Sequence, residues 1–117
     1  MRAAVRWLGS LDVDDLGTWA PECENWEVGV RILAGPEGGL GEESFDVIVC
    51  NLGWLAEKVS RDTVVDGRHR LVVERFDWPV LRSYIERHVR QCEGATWVEV
   101  AEKLARFGHW EFEDYQP

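Results

Sequence analysis

Alternation of apolar and polar residues is the clearest pattern in the chain. Trp26, Val28, Val30 and Ile32 alternate with Glu27, Gly29 and Arg31, and the same period resumes at Phe45, Val47 and Val49 beyond the Gly35–Gly41 segment. A period of two belongs to strands with one buried face, so these runs predict an antiparallel hairpin with a glycine-rich connection. A first strand is predicted from Arg2 to Leu8, with Ala3, Val5 and Trp7 on one face. Between these strands, residues 10–25 carry Ser10, Asp12, Asp14, Asp15, Gly17 and Pro21 without periodicity and read as an acidic loop.

The second half changes period. Residues 51–59 place Leu52, Trp54, Leu55 and Val59 at helical spacing, with Gly53 counting against the helix. Asp66-Gly67 marks a turn, and residues 69–76 predict a further strand through Leu71, Val72 and Val73. Asp77 is a natural N-cap, and Pro79 sits in the first turn, where a missing N–H costs nothing. The helix they open carries the stripe Trp78, Leu81, Ile85, His88, Val89 and Cys92. Thr96 and Glu99 fit a capping box, starting a last helix with Trp97, Val100, Ala101, Leu104 and Phe107 on one side and Gly108 as its stop. From Trp110 to Tyr115 large apolar residues alternate with carboxylates, which reads as a short half-buried strand or an extended segment laid on the body.

Strands come first and helices last. The predicted fold class is therefore α+β, an antiparallel sheet of about four strands with two or three helices packed on one face. At 117 residues without repeat or linker, residues 1–117 are expected to form a single domain. Hydrophobic residues make up 45% of the chain, enough to build a core and to argue against disorder. No run approaches the roughly 20 apolar residues of a membrane span, and Arg6, Gly9, Ser10 and Asp12 interrupt any signal-peptide core. A cytoplasmic location is the expectation, and no membrane partner. Cys23, Cys50 and Cys92 are odd in number and widely spaced, so they read as reduced thiols and not as a disulfide framework or zinc site.

The net charge of −9 is unevenly spread. Residues 1–57 hold eleven Asp and Glu against Arg2, Arg6 and Arg31, whereas residues 58–117 hold eleven acids against ten bases. A field of this sign repels nucleic acid and attracts a basic partner, although solubility alone also explains an acidic surface.

Catalytic patterns fail one by one. His69, His88 and His109 are scattered without HxxxH or HxH spacing, so no metal is expected. His88 lies on an apolar stripe and reads as a partly buried imidazole, while His109 reads as part of a turn. There is no GxSxG, and Cys50 at a strand end reads as a small buried residue. The glycine segment lacks Lys, is flanked by Glu37, Glu42 and Glu43, and leads into a strand, which fits a hairpin turn better than a phosphate cradle. No catalytic residue and no cofactor is expected. Recognition remains: of seven Trp, those at 7, 54, 78 and 97 sit on apolar faces and Trp26 belongs to the alternating strand, so Trp19 and Trp110 are the better surface candidates.

Three separated segments carry a family likeness: Gly41-Glu-Glu-Ser-Phe-Asp-Val-Ile-Val-Cys-Asn-Leu-Gly-Trp-Leu-Ala56, Cys92-Glu-Gly-Ala-Thr-Trp97 and Gly108-His-Trp-Glu-Phe-Glu-Asp-Tyr-Gln-Pro117. In this order they resemble the Immunity protein 8 family of bacterial immunity proteins, and residues 11–24 have no counterpart in that pattern. The resemblance implies an α+β cytoplasmic protein, encoded beside a secreted polymorphic toxin, that binds the toxin domain and blocks it without catalysis. It carries no contact residues, so a partner surface is drawn from charge and aromatics: Asp12, Asp14, Asp15, Trp19, Glu22, Glu24, Glu42, Glu43, Trp110, Glu111, Glu113 and Asp114. This surface would face a basic toxin, possible nucleases included. The alternative is a small-ligand-binding domain or enzyme using a pocket between sheet and helices, with His88 or Cys50 at its edge.

Overall fold

A computed structural model describes residues 1–112. Strands β1 (Ala3–Gly9), β2 (Glu27–Pro36) and β3 (Glu43–Asn51) form an antiparallel meander, with Val30 opposite Val47 and Ile32 opposite Phe45. Helix α1 (Leu52–Asp62) then returns the chain so that β4 (Arg70–Val73) runs parallel to β3. Helices α2 (Trp78–Arg90) and α3 (Trp97–Leu104) follow, and β5 (His109–Trp110) pairs antiparallel with the start of β3. The sheet order is β1-β2-β3-β4, with β5 beside β4 on the same edge of β3.

The class is α+β, as the order of elements predicts, but the sheet is mixed. Strand content alone does not give direction: a helical crossover after β3 brings the chain back to the same end of the sheet, and a parallel partner follows.

The core lies on one face. Val28, Val30 and Ile32 of β2 and Phe45, Val47 and Val49 of β3 point to it, and α2 covers them with Leu81, Ile85 and Val89. Helix α3 adds Val100, Ala101 and Leu104. Each large apolar side chain so buried contributes about 1.5–3 kcal/mol relative to exposure. Caps define both helices: the Asp77 carboxylate accepts from the Val80 N–H at 3.3 Å, and the Thr96 hydroxyl accepts from Glu99 N–H at 3.3 Å. The return bond of the second cap goes one residue earlier than in a capping box, because the Glu99 carboxylate accepts from Ala95 N–H at 2.7 Å.

Helix α1 buries no residue completely and lies over the other face of the sheet at its β3–β4 end. There Cys50, which alternates away from Val49, is fully buried, and the Arg70 guanidinium stands 5.1 Å from the Trp54 ring centroid. Among the described residues Nε and Nη1 of Arg70 are buried without a hydrogen-bond acceptor, and the Trp54 π face gives that charge a favourable contact. Gly53, unfavourable for a helix, is explained by proximity: a Cβ there would overlap the Asn25 side-chain amide.

One expectation is corrected in β1. The pairing shifts register between Val5 and Trp7, leaving Arg6 as an extra residue. A bulge of this kind reverses which side chains face the core, so Leu8 packs inward with Val5, and Trp7 turns to the outer face at 44% exposure. Gly108 does more than stop α3. Its backbone passes so close to β3 that a Cβ would sit 3.0 Å from Cβ of Phe45.

Candidate functional site

The acidic loop is folded by its own carboxylates. β1 ends opposite Arg31, so beyond that point the outer edge of β2 has no strand beside it. Ser10 and Asp12 take the place of that strand: the Ser10 hydroxyl donates to the Gly29 carbonyl at 2.6 Å, and the Asp12 carboxylate accepts from the Gly29 N–H at 2.8 Å. Asp15 accepts from the Gly17 N–H at 2.8 Å and fixes the next turn. Trp19 is edge-on to Trp26 at 5.7 Å and to Phe76 at 4.7 Å, and Phe76 stacks on Trp78. This aromatic cluster pins the loop to the C-terminal end of β4 and the start of α2. Leu16 of the same loop is buried in the core. Asp14, Glu22 and Glu24 stay exposed on the loop surface, while the Glu24 carbonyl accepts from the Asn51 side chain at 2.6 Å.

The second acidic group lies at the other end of β3. Trp110 stacks on Phe45 at 6.2 Å and donates from its indole nitrogen to Glu43 at 2.6 Å. The Glu111 carboxylate accepts from the Ser44 N–H at 3.3 Å. Glu42 is exposed beside them. Glu113 and Asp114 lie outside the described residues. Glu43 and Asn51 are the two ends of nine-residue β3, roughly 27 Å apart at about 3.4 Å per residue. Among the described residues of the predicted set, Glu24 lies by the Asn51 end of β3 and Glu42, Glu43 and Glu111 by the other, with Asp12 between them beside Gly29, opposite Ile48. Sequence distance hides this, because a strand carries its ends apart.

On the outer face, Arg31 and Asp46 form a two-pronged ion pair, with Nε–Oδ1 and Nη2–Oδ2 both at 2.8 Å. Elsewhere Arg2 pairs with Glu93 and holds its carboxyl below the ordinary range. This pair, with the Ala3 N–H to Cys92 carbonyl bond at 3.1 Å, ties β1 to the segment after α2.

The His88 and Cys92 side chains lie by Phe107 and Lys103, whereas His69 meets His109, next to Trp110. The His88 ring stacks on Phe107 at 4.1 Å, and burial lowers its pKa. Burial raises the pKa of the Cys92 thiol, against the pull of Lys103 and Arg106. His69 meets the Ala105 carbonyl through Nε2 at 2.6 Å and holds a left-handed backbone, φ 60°. Among the described residues no three His, Cys, Asp or Glu lie together as metal ligands. No helix among them is long and apolar enough to cross a membrane.

A feature the residue pattern did not single out is a groove of about 480 Å3 between β4 and α2, walled by Leu71, Val73, Phe76, Val80 and Tyr84. Neither His88 nor Cys50 lines it. Its readable signal is the pair Val80 and Tyr84, apolar residues four apart on α2 yet off the stripe that enters the core.

No curated protein and no solved structure matches the chain. A family model does: the one described as Immunity protein 8 matches residues 3–115, nearly the whole chain. The chain belongs to the Immunity protein 8 family, and with that to proteins that confer immunity to a toxin.

Proposed function

We propose that the protein neutralises a cognate toxin domain of basic character, by direct binding in the cytoplasm and without catalysis of its own. Family membership supplies the toxin partner. The observation that carries the finer reading is the exposure of Asp14, Glu22 and Glu24 on a loop tied down by the hydrogen bonds of Asp12 and Asp15 and the packing of Trp19. Carboxylates carried on an anchored backbone stay displayed on one surface and steer an oppositely charged partner during encounter. A basic cleft of the sort that binds nucleic acid fits this field, so a nuclease is the toxin class favoured. The secreted polymorphic-toxin setting follows from the same resemblance.

Stopped-flow association with the cognate toxin domain, sought among the products of the neighbouring genes, tests the reading. Replacing Asp14, Glu22 and Glu24 together by Lys should slow association at low salt and flatten its salt dependence. Unchanged rates at low salt would remove the loop from the interface.

A further inference from the structure

The two edges of the sheet are closed differently. β1 is interrupted by its bulge and tied down at its start by Cys92 and Glu93. β4 is paired on one side only: among the described residues its partner is β3 alone. The Ile48 N–H donates to the His69 carbonyl at 3.0 Å, and Leu71 and Val73 follow in parallel register with Val49 and Asn51. Strand alternation then turns the backbone N–H and C=O of Arg70 and Val72 away from β3, toward the open edge. Among the described residues that follow β5, Glu111 reaches back to the Ser44 N–H, at the far end of β3 from this edge.

Alongside that edge runs the β4–α2 groove, about 480 Å3 in volume and apolar along its walls. An open row of backbone donors and acceptors beside an apolar trough is complementary to an extended segment: its main chain pairs with Arg70 and Val72, and every second side chain enters the trough. The groove ends at Phe76, against which Trp19 of the acidic loop packs, and Glu74, Arg75 and Asp77 line its rim. The acidic surface and the groove thus meet at one corner of the molecule.

We infer that β4 and α2 receive an extended strand of the toxin, with apolar residues at alternate positions and basic residues flanking them, added to the sheet at the β4 edge. This rests on the immunity reading and deepens it. A second copy of this chain is the poorer occupant. β4 paired with β4 across a two-fold axis would engage four residues a side, far short of the roughly 1,200 Å2 that stable interfaces bury. A toxin strand can extend its contacts onto the neighbouring acidic loop.

Residue-resolved amide exchange of the full chain, alone and with the cognate toxin domain, tests this. The expected result is that the Arg70 and Val72 amides exchange fast in the free protein and become protected in the complex. Val72→Pro removes an outward N–H without touching the β3 ladder, and should weaken the complex about tenfold while leaving the unfolding temperature close to wild type. Tyr84→Ala, which opens the groove wall, should weaken it in the same sense and serves should the proline variant misfold. A complex that forms without protection at Arg70 and Val72 overturns strand addition and leaves the immunity reading standing. Protection that appears with rising protein concentration in the absence of toxin assigns the edge to a second copy and overturns the toxin as occupant. Failure of any complex to form overturns the immunity reading, and this inference with it.

Discussion

The loop of residues 10–25 and the segment where Glu42 and Glu43 meet Trp110 and Glu111 look alike in sequence: each is acidic, and each holds a tryptophan. Folded, they differ in how many carboxylates remain for a partner. In the loop, Asp12 and Asp15 turn to backbone N–H groups, while Asp14, Glu22 and Glu24 face solvent. At the start of β3, Glu43 and Glu111 are both engaged, by Trp110 and Ser44, and Glu42 is the exposed one. A carboxylate that satisfies a backbone or indole N–H builds the surface, and one left to solvent charges it. Composition alone does not separate the two kinds.

The largest effect that sharpens this contrast is expected at Trp110. Trp110→Ala removes a ring stacked on Phe45 and leaves Glu43 without its donor, so thermal or urea unfolding should show a loss of about 3 kcal/mol. An unchanged midpoint would mean that the β5 patch is not anchored in the way described. Next is Asp12→Ala. It strips the Gly29 N–H of its acceptor and should cost about 1–2 kcal/mol, while Asp14→Ala, at an exposed position of the same loop, should stay within about 0.5 kcal/mol. Equal losses at the two positions would erase the distinction between building and charging carboxylates.

These roles also mark where the sequence was legible. The hairpin pattern, the Asp77–Pro79 start and the Thr96–Glu99 pair locate β2, β3, α2 and α3, because each is a local rule whose physics stays local. The bulge at Arg6 is hidden, since Ala3, Val5 and Trp7 alternate as they would in an unbroken strand. The parallel direction of β4 depends on the path of α1, and the structural duty of Asp12 depends on β1 stopping opposite Arg31. All three are set by how elements pack and pair and not by the local residue pattern. For the same reason the acidic residues were visible as a set, but their spread along β3 was not.

A smaller effect is expected in encounter kinetics. The Asp14, Glu22 and Glu24 to Lys variant should associate with a basic toxin about tenfold more slowly at low salt, and Glu42→Lys by less, since one exposed charge carries a weaker field than three. A reversed order would move the contact surface to the β3 start.

The smallest effect concerns pH. Burial holds the folded-state pKa of His88 below that of the unfolded chain, so the unfolded chain binds the extra proton as pH falls. The stability from a neutral His88 is present above the unfolded value near 6.5 and is lost as pH drops through the folded one. His88→Phe should therefore flatten the rise in unfolding temperature between about pH 5 and pH 7.5. Parallel pH curves for the variant and wild type would assign that slope to other groups.

The central claim is that this chain protects by binding a toxin. The most direct measurement is survival of cells expressing the cognate toxin domain, sought among the products of the neighbouring genes, with and without this protein, followed by isolation of the complex. Rescue with a one-to-one complex is the predicted result. Persistent killing despite soluble expression of the protein would contradict it.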